Sequence, residues 1–356
     1  MGDVARKAAV ASLVVVGVVA LSLALWELRL VLALLFLAFI LAAAMRPAVD
    51  ALARAGVPRG VGVAAHYVCF ALLLAGFLWI AVPQAVDQID GAVAGLPETR
   101  SQLGQEARES TGLKHDVLLG LQRRLQDLPS GNDLTDPAVE ITLTVAEVFL
   151  GIFFVLASAA YWIFERERAE RLVCSLVPSR HARTVRDTWR LIDLKLGAYV
   201  RGQALLILLV GTVLSLVFWA IGMPYWILVG AFAGLVEIVP VIGPLVAGAV
   251  AVGVGLTESW EVALLAGIAV LVVRLLEDYL VIPRLLGDAV GLTPLVVLLS
   301  VTATGLLFGG FAIILAIPLA AVGATLLDVV VRDKDPAEEE VPTVLFPAKD
   351  AETVGG

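Results

Sequence analysis

The chain has 356 residues, of which 60% are hydrophobic and only 16% charged, and its mean hydropathy is +0.95. Soluble domains carry about a quarter charged residues, so this composition excludes an ordinary soluble globular protein. A net charge of -8 and a pI near 5.0 exclude a nucleic-acid partner, because phosphate binding needs a basic surface.

The apolar residues fall in runs long enough to cross a hydrocarbon core of about 30 Å, which takes roughly 20 helical residues. The ~10-residue alternating segments of membrane strands are not visible. The expected fold is all-α: a polytopic helical membrane protein with about eight membrane segments, two of them broken or hairpin-like, and a small outer helical insert. Candidate spans in chain order are residues 8–25, 30–45, 60–83, 139–164, 203–221, 225–256, 261–282 and 292–331.

Arg6 and Lys7 ahead of the first run resemble the start of a signal peptide. Trp26, Glu27 and Arg29 follow without a small-x-small cleavage site, however, and a second apolar run begins at once, so an uncleaved span is expected. Basic residues orient the spans. Arg6, Lys7, Arg46, Arg54 and Arg59 flank the first two runs. Residues 84–138 hold nine acidic and five basic residues, whereas 165–201 reverse this with five acidic and nine basic. That asymmetry puts both termini and 165–201 on the cytoplasmic side of the cell (inner) membrane, with 84–138 outside.

The organisation read from this is three spans over 1–83, an extracytoplasmic amphipathic insert over 84–138 and a fourth span over 139–164. A cytoplasmic basic amphipathic linker over 165–201 leads to a core of two repeat-like units over 202–331, then a disordered acidic tail over 332–356. In the insert, Leu118, Leu121, Leu125 and Leu128 form a helical stripe that could pack between subunits or within its own. In the linker, Val185, Trp189, Ile192, Leu196 and Tyr199 form another, which suits a helix lying at the interface.

Residues 203–256 and 261–331 share a plan. Each starts with an apolar helix, passes a turn (Gly222-Met223-Pro224 or Gly291-Leu292-Thr293-Pro294) and enters an over-long apolar segment. As straight helices, 225–256 and 292–331 would measure about 48 and 60 Å, so the excess must go into tilt, a break or a reversal. Breakers stand near the middle of both: Pro240, Gly243 and Pro244 in the first, Gly309 and Gly310 in the second. Interrupted helices expose unpaired backbone groups, which is how transporters commonly build a site. The plainer reading is that glycine and proline are frequent in membrane helices.

Ionisable residues inside hydrocarbon are costly and mark function by default. Glu237 stands alone in its apolar run, about 18 Å along the segment at helical rise, and could exchange a proton, hold a cation or be satisfied by a neighbouring helix end. Arg274 precedes Glu277 and Asp278 by three and four residues, spacings that meet on one helix face. Either Arg274 neutralises one carboxylate and leaves the other free, or the group is an ion pair locking helix to helix. Glu147 in the fourth span is a weaker candidate. His66, His115 and His181 make no metal-ligand spacing, Cys69 and Cys174 give no reason to expect a disulfide, and HExxH, GxSxG and P-loop motifs are absent. No enzyme, metal or cofactor is expected.

Four blocks resemble the autoinducer-2 exporter family of multi-pass transporters. They are Tyr199-Val200-Arg201-Gly202-Gln203; Glu237-Ile238-Val239-Pro240-Val241-Ile242-Gly243-Pro244; Glu277 through Pro283 to Gly287 with Val290-Gly291-Leu292-Thr293-Pro294; and Gly309-Gly310 with Leu315-Ala316-Ile317-Pro318. Their order and spacing cover most of residues 195–330, while the first half matches in layout only. This sequence departs at Asp278, where the family more usually has asparagine, and at Thr293, where histidine is common. The resemblance implies multi-pass transport by a homo-oligomer, a pentamer. Family members include a proposed exporter of autoinducer-2 and proposed sodium or lithium for proton antiporters.

The expectation is therefore a secondary transporter of a small solute, in contact with membrane lipid and coupled to a proton or sodium, with its site between the two interrupted segments. Glu237, Glu277, Asp278 and Arg274 would carry binding or coupling. Pro240, Gly243, Pro244, Pro283, Gly291, Pro294, Gly309 and Gly310 would shape the site backbone. The alternatives are a sodium or lithium/proton antiporter, and a membrane scaffold without flux.

Overall fold

The computed structural model describes residues 2–73, 75, 76, 79, 83, 135–239, 242–282 and 292–339. The outer leucine stripe, Pro240, Pro283 and Gly291 lie outside the described residues, as does the tail beyond 339.

Helices α1 (Gly2–Glu27) and α2 (Arg29–Arg54) follow one another with only Leu28 between them. Next come α3 (Arg59–Leu73), α4 (Thr135–Ser175) and α5 (Ser179–Ala220). The second half comprises α6 (Trp226–Val236), α7 (Ile242–Glu258) and α8 (Trp260–Leu276), the last continuing into a π-helical turn, Glu277–Val281. Helix α9 (Pro294–Phe308), a 3-10 turn (Gly310–Leu315) and α10 (Ala316–Val331) complete it. Among the described residues there is no strand. Five stretches, in α1, α2, α4, α5 and Gly310–Val331, are long and apolar enough to cross a membrane. The chain is a polytopic helical membrane protein.

Residues 165–201, the expected linker, belong to two long helices joined by a short turn. α4 runs on to Ser175 and, after a short turn, α5 starts at Ser179 and continues through its 42 residues, about 63 Å at helical rise. No proline stands within α5 to stop it. The two helices cross outside their apolar stretches through an ion network. Asp193 of α5, nearly buried, takes Arg46 of α2 at 2.6 Å and Arg166 of α4 at 3.0 Å. One turn away Trp189 stacks on Trp162 with centroids 6.0 Å apart. The stripe residues Leu196 and Tyr199 are buried against neighbouring helices rather than laid on a surface.

Both over-long segments are broken. α6 stops at Val236 and α7 starts at Ile242, and Ala233 and Ala247 line one small cavity. In a straight helix those residues would be about 21 Å apart, so the chain folds back between them. Gly243 sits so close to the carbonyl of Val236 that any side chain there would collide with it. In the second segment Gly309 adopts φ 89°, open to glycine and strained for other residues. Ile313 then comes within 3.2 Å of where a Gly305 Cβ would lie, against about 12 Å in a straight helix.

The two units pack differently. α6 lies along α5, where a Cβ on Gly234 would fall 2.5 Å from the carbonyl oxygen of Ile207; small residues let membrane helices approach this closely. α7 and α8 close the bundle around Val210, Leu214, Phe218, Ala247 and Val270. α9 packs instead on its own 3-10 turn and α10; α10 rests on α5 and the 3-10 turn reaches α2, through a cluster of Leu315, Ala321, Leu196 and Ile40.

After α10 the described chain continues to 339. Asp328 accepts from Arg332 at 2.8 Å and from Lys334 at 2.7 Å, and Glu339 reaches Lys195 of α5 at 2.7 Å.

Candidate functional site

Glu237 closes α6, at the point where the chain must turn for α7. Arg274 stands in the last turn of α8, and Glu277 and Asp278 open the π-helical turn that follows. A π turn inside a membrane helix is uncommon and frequently marks a functional position.

These residues form one cluster. Arg274 Nη1 donates to Glu237 Oε1 at 2.9 Å and to Glu277 Oε2 at 3.2 Å. Its Nη2 lies 2.9 Å from Asp278 Oδ1. Side-chain exposure grades outward, from 4% at Glu277 and 6% at Glu237 to 29% at Arg274 and 42% at Asp278. One guanidinium therefore meets three carboxylates, two buried and one facing out.

The cluster caps a cavity of about 10 Å³, space for about one water molecule. Its walls are apolar: Val210 and Leu214 of α5, Ala233 of α6, Ala247 of α7, and Val270 and Val273 of α8. Pro244 adds the first turn of α7. The break leaves helix-end carbonyls to be satisfied, and Gln203 of α5 donates its amide to the Glu237 carbonyl at 3.0 Å. Nothing in the charge pattern of the sequence assigns Gln203 to this cluster. Its place one block upstream in the family-like pattern was the available signal, but a lone polar residue entering a span does not announce its partner.

Of the residues singled out in the sequence, Glu237, Arg274, Glu277 and Asp278 come together, with Gly243 and Pro244 beside them. Gly309, Gly310 and Pro294 do not. They shape the second broken segment, where Thr293 caps α9 and Pro294 opens it, and none of the cavity's lining residues comes from α9 or α10. Among the described residues, the acidic cluster lies between the first break and the end of α8. Glu147 is exposed on α4. Cys69 and Cys174 are both free.

A helical membrane fold with charged residues gathered at a broken helix is an arrangement in which transporters commonly build a site. The family described as AI-2E family transporter matches residues 14–332, and the chain belongs to it. It is similar to "Putative transport protein YrrI" of Bacillus subtilis, 26% identical over 75% of this chain and 77% of that one. It is 26% identical to "Putative transport protein MT0215" of Mycobacterium tuberculosis, over 86% and 85% of the two chains. "Putative permease PerM" of Escherichia coli K12 is 27% identical over 52% of this chain and 54% of its own. The chain is thus a membrane protein of a transporter family, which is not a class of enzyme.

Proposed function

We propose that the chain is a secondary transporter of a small solute, with the Arg274 cluster as its binding or coupling site. The observation that carries this is one guanidinium shared by three carboxylates at a helix break. With every group ionised the cluster is short of two positive charges. Buried carboxylates that share one guanidinium do not all stay charged without further compensation. A proton held by Glu237 or Glu277 and a cation bound beside Asp278 would together supply the balance, and release of either would couple ion movement to a change in packing around the first break.

The purified chain in proteoliposomes, screened for solute flux with and without proton and sodium gradients, tests this. Wild type should carry a gradient-dependent flux that Glu237→Gln abolishes or uncouples. Unchanged flux in Glu237→Gln would end the coupling role, and absence of any flux would favour a scaffold. Sodium-driven proton movement with no organic solute would favour the antiporter reading.

The same proposal places the chain in the cell membrane with both termini cytoplasmic, supported by the basic residues around Arg46 and over 165–201. A homo-oligomer, a pentamer by family likeness, fits α1, whose apolar window over 10–27 is wholly exposed on a single chain. Lipid or a second copy would cover it.

A further inference from the structure

The acidic segment after α10 has a built seat. Asp333 takes a left-handed φ of 52°, which aspartate tolerates better than most residues. Around it Asp328 binds both Arg332 and Lys334, and the Lys334 amide donates to the Asp328 carbonyl at 3.1 Å. The chain therefore reverses instead of leaving the helix end. A second turn follows, with Asp335 accepting from the Ala337 amide at 2.9 Å, and Pro336 between them is buried. The segment ends with Glu339 on Lys195 Nζ at 2.7 Å.

Lys195 is not a surface lysine. It is 8% exposed on α5, and it also donates to the buried Thr325 hydroxyl of α10 at 3.4 Å. A buried ammonium needs a counter-charge, and the tail delivers it. We propose that residues 332–339 form a latch. Glu339, carried back across the end of α10, neutralises Lys195 and so ties α10 to α5. These are the helix leaving the second break and the helix whose Gln203 holds the first. Releasing Glu339 would free α10 to move against α5, giving the chain an intramolecular restraint on its second broken segment. The latch does not depend on what the Arg274 cluster carries.

Hydrogen–deuterium exchange on the full chain in nanodiscs tests it, with no transported solute needed. Amides of 332–339 and of the last turns of α10 should be protected in the wild type and exchange at least about threefold faster in Glu339→Gln, since exchange reports local opening. Glu338→Gln removes the same charge one residue earlier from an exposed side chain and should leave exchange unchanged. Lys195→Met removes the other half of the pair and should raise exchange over 332–339 as Glu339→Gln does, and the Lys195→Met/Glu339→Gln double variant should exchange no faster than the faster single one. Unchanged exchange in Glu339→Gln, equal effects of both glutamine variants, or additive effects in the double variant would each overturn the latch.

Discussion

Gln203 donates its side-chain amide to the main-chain carbonyl of Glu237 at 3.0 Å, across 34 residues of sequence. The bond joins the inner part of α5 to the point where α6 stops, so the helix end that carries the buried Glu237 carboxyl is fixed from outside its own segment. A carbonyl freed by a helix break has no water to turn to in hydrocarbon. The same residue therefore satisfies the break and sets where Glu237 sits relative to Arg274.

Gln203→Leu should cost about 1–3 kcal/mol, the usual penalty for an orphaned buried acceptor. Thermal unfolding in detergent would read the loss, and amide exchange should rise at 236–239 before it rises elsewhere. Equal protection at those amides would mean the carbonyl finds another donor.

Arg274→Met should be more damaging, because it strands the Glu237 and Glu277 carboxyls at 6% and 4% side-chain exposure. Removing one partner of a buried ion pair costs about 3–5 kcal/mol. Adding Glu237→Gln and Glu277→Gln to Arg274→Met should recover much of the melting temperature. A triple variant no more stable than the single one would show that Arg274 stabilises by packing alone.

The α2–α4–α5 network offers a contrast between buried and exposed ions. Asp193→Ala removes a carboxylate of 3% side-chain exposure that serves both Arg46 and Arg166, and about 3 kcal/mol of stability should go with it. Glu165→Ala breaks a pair whose side chains are 52% and 80% exposed, and should shift stability by no more than about 0.5 kcal/mol. Parallel denaturation curves would separate the two.

Two glycines should respond in opposite directions. A Cβ at Gly234 would meet the Ile207 carbonyl oxygen at 2.5 Å and Gly211 Cα at 2.7 Å. Gly234→Leu should therefore pry α6 from α5 at a cost of about 1–3 kcal/mol or more. At Gly248 the same atom would meet only the Val270 side chain at 3.7 Å. Gly248→Ala should be neutral or gain up to about 1 kcal/mol from helix propensity.

The sequence by itself determined the membrane, the helices and the places where they break. Hydropathy runs, the Gly309-Gly310 pair and the Arg274-Glu277-Asp278 spacing are local, and a helix converts local spacing into shared faces without reference to the rest of the chain. It also carried the family-like blocks. It did not determine that Glu237, 37 residues before Arg274, joins the same guanidinium. Nor did it determine that the Gly309-Gly310 break shapes a separate packing unit, that α5 continues unbroken through the basic linker, or that Glu339 returns to Lys195 across 144 residues. Those contacts depend on how the chain reverses and on which glycines let helices approach, and only the tertiary structure brings such distant residues within reach.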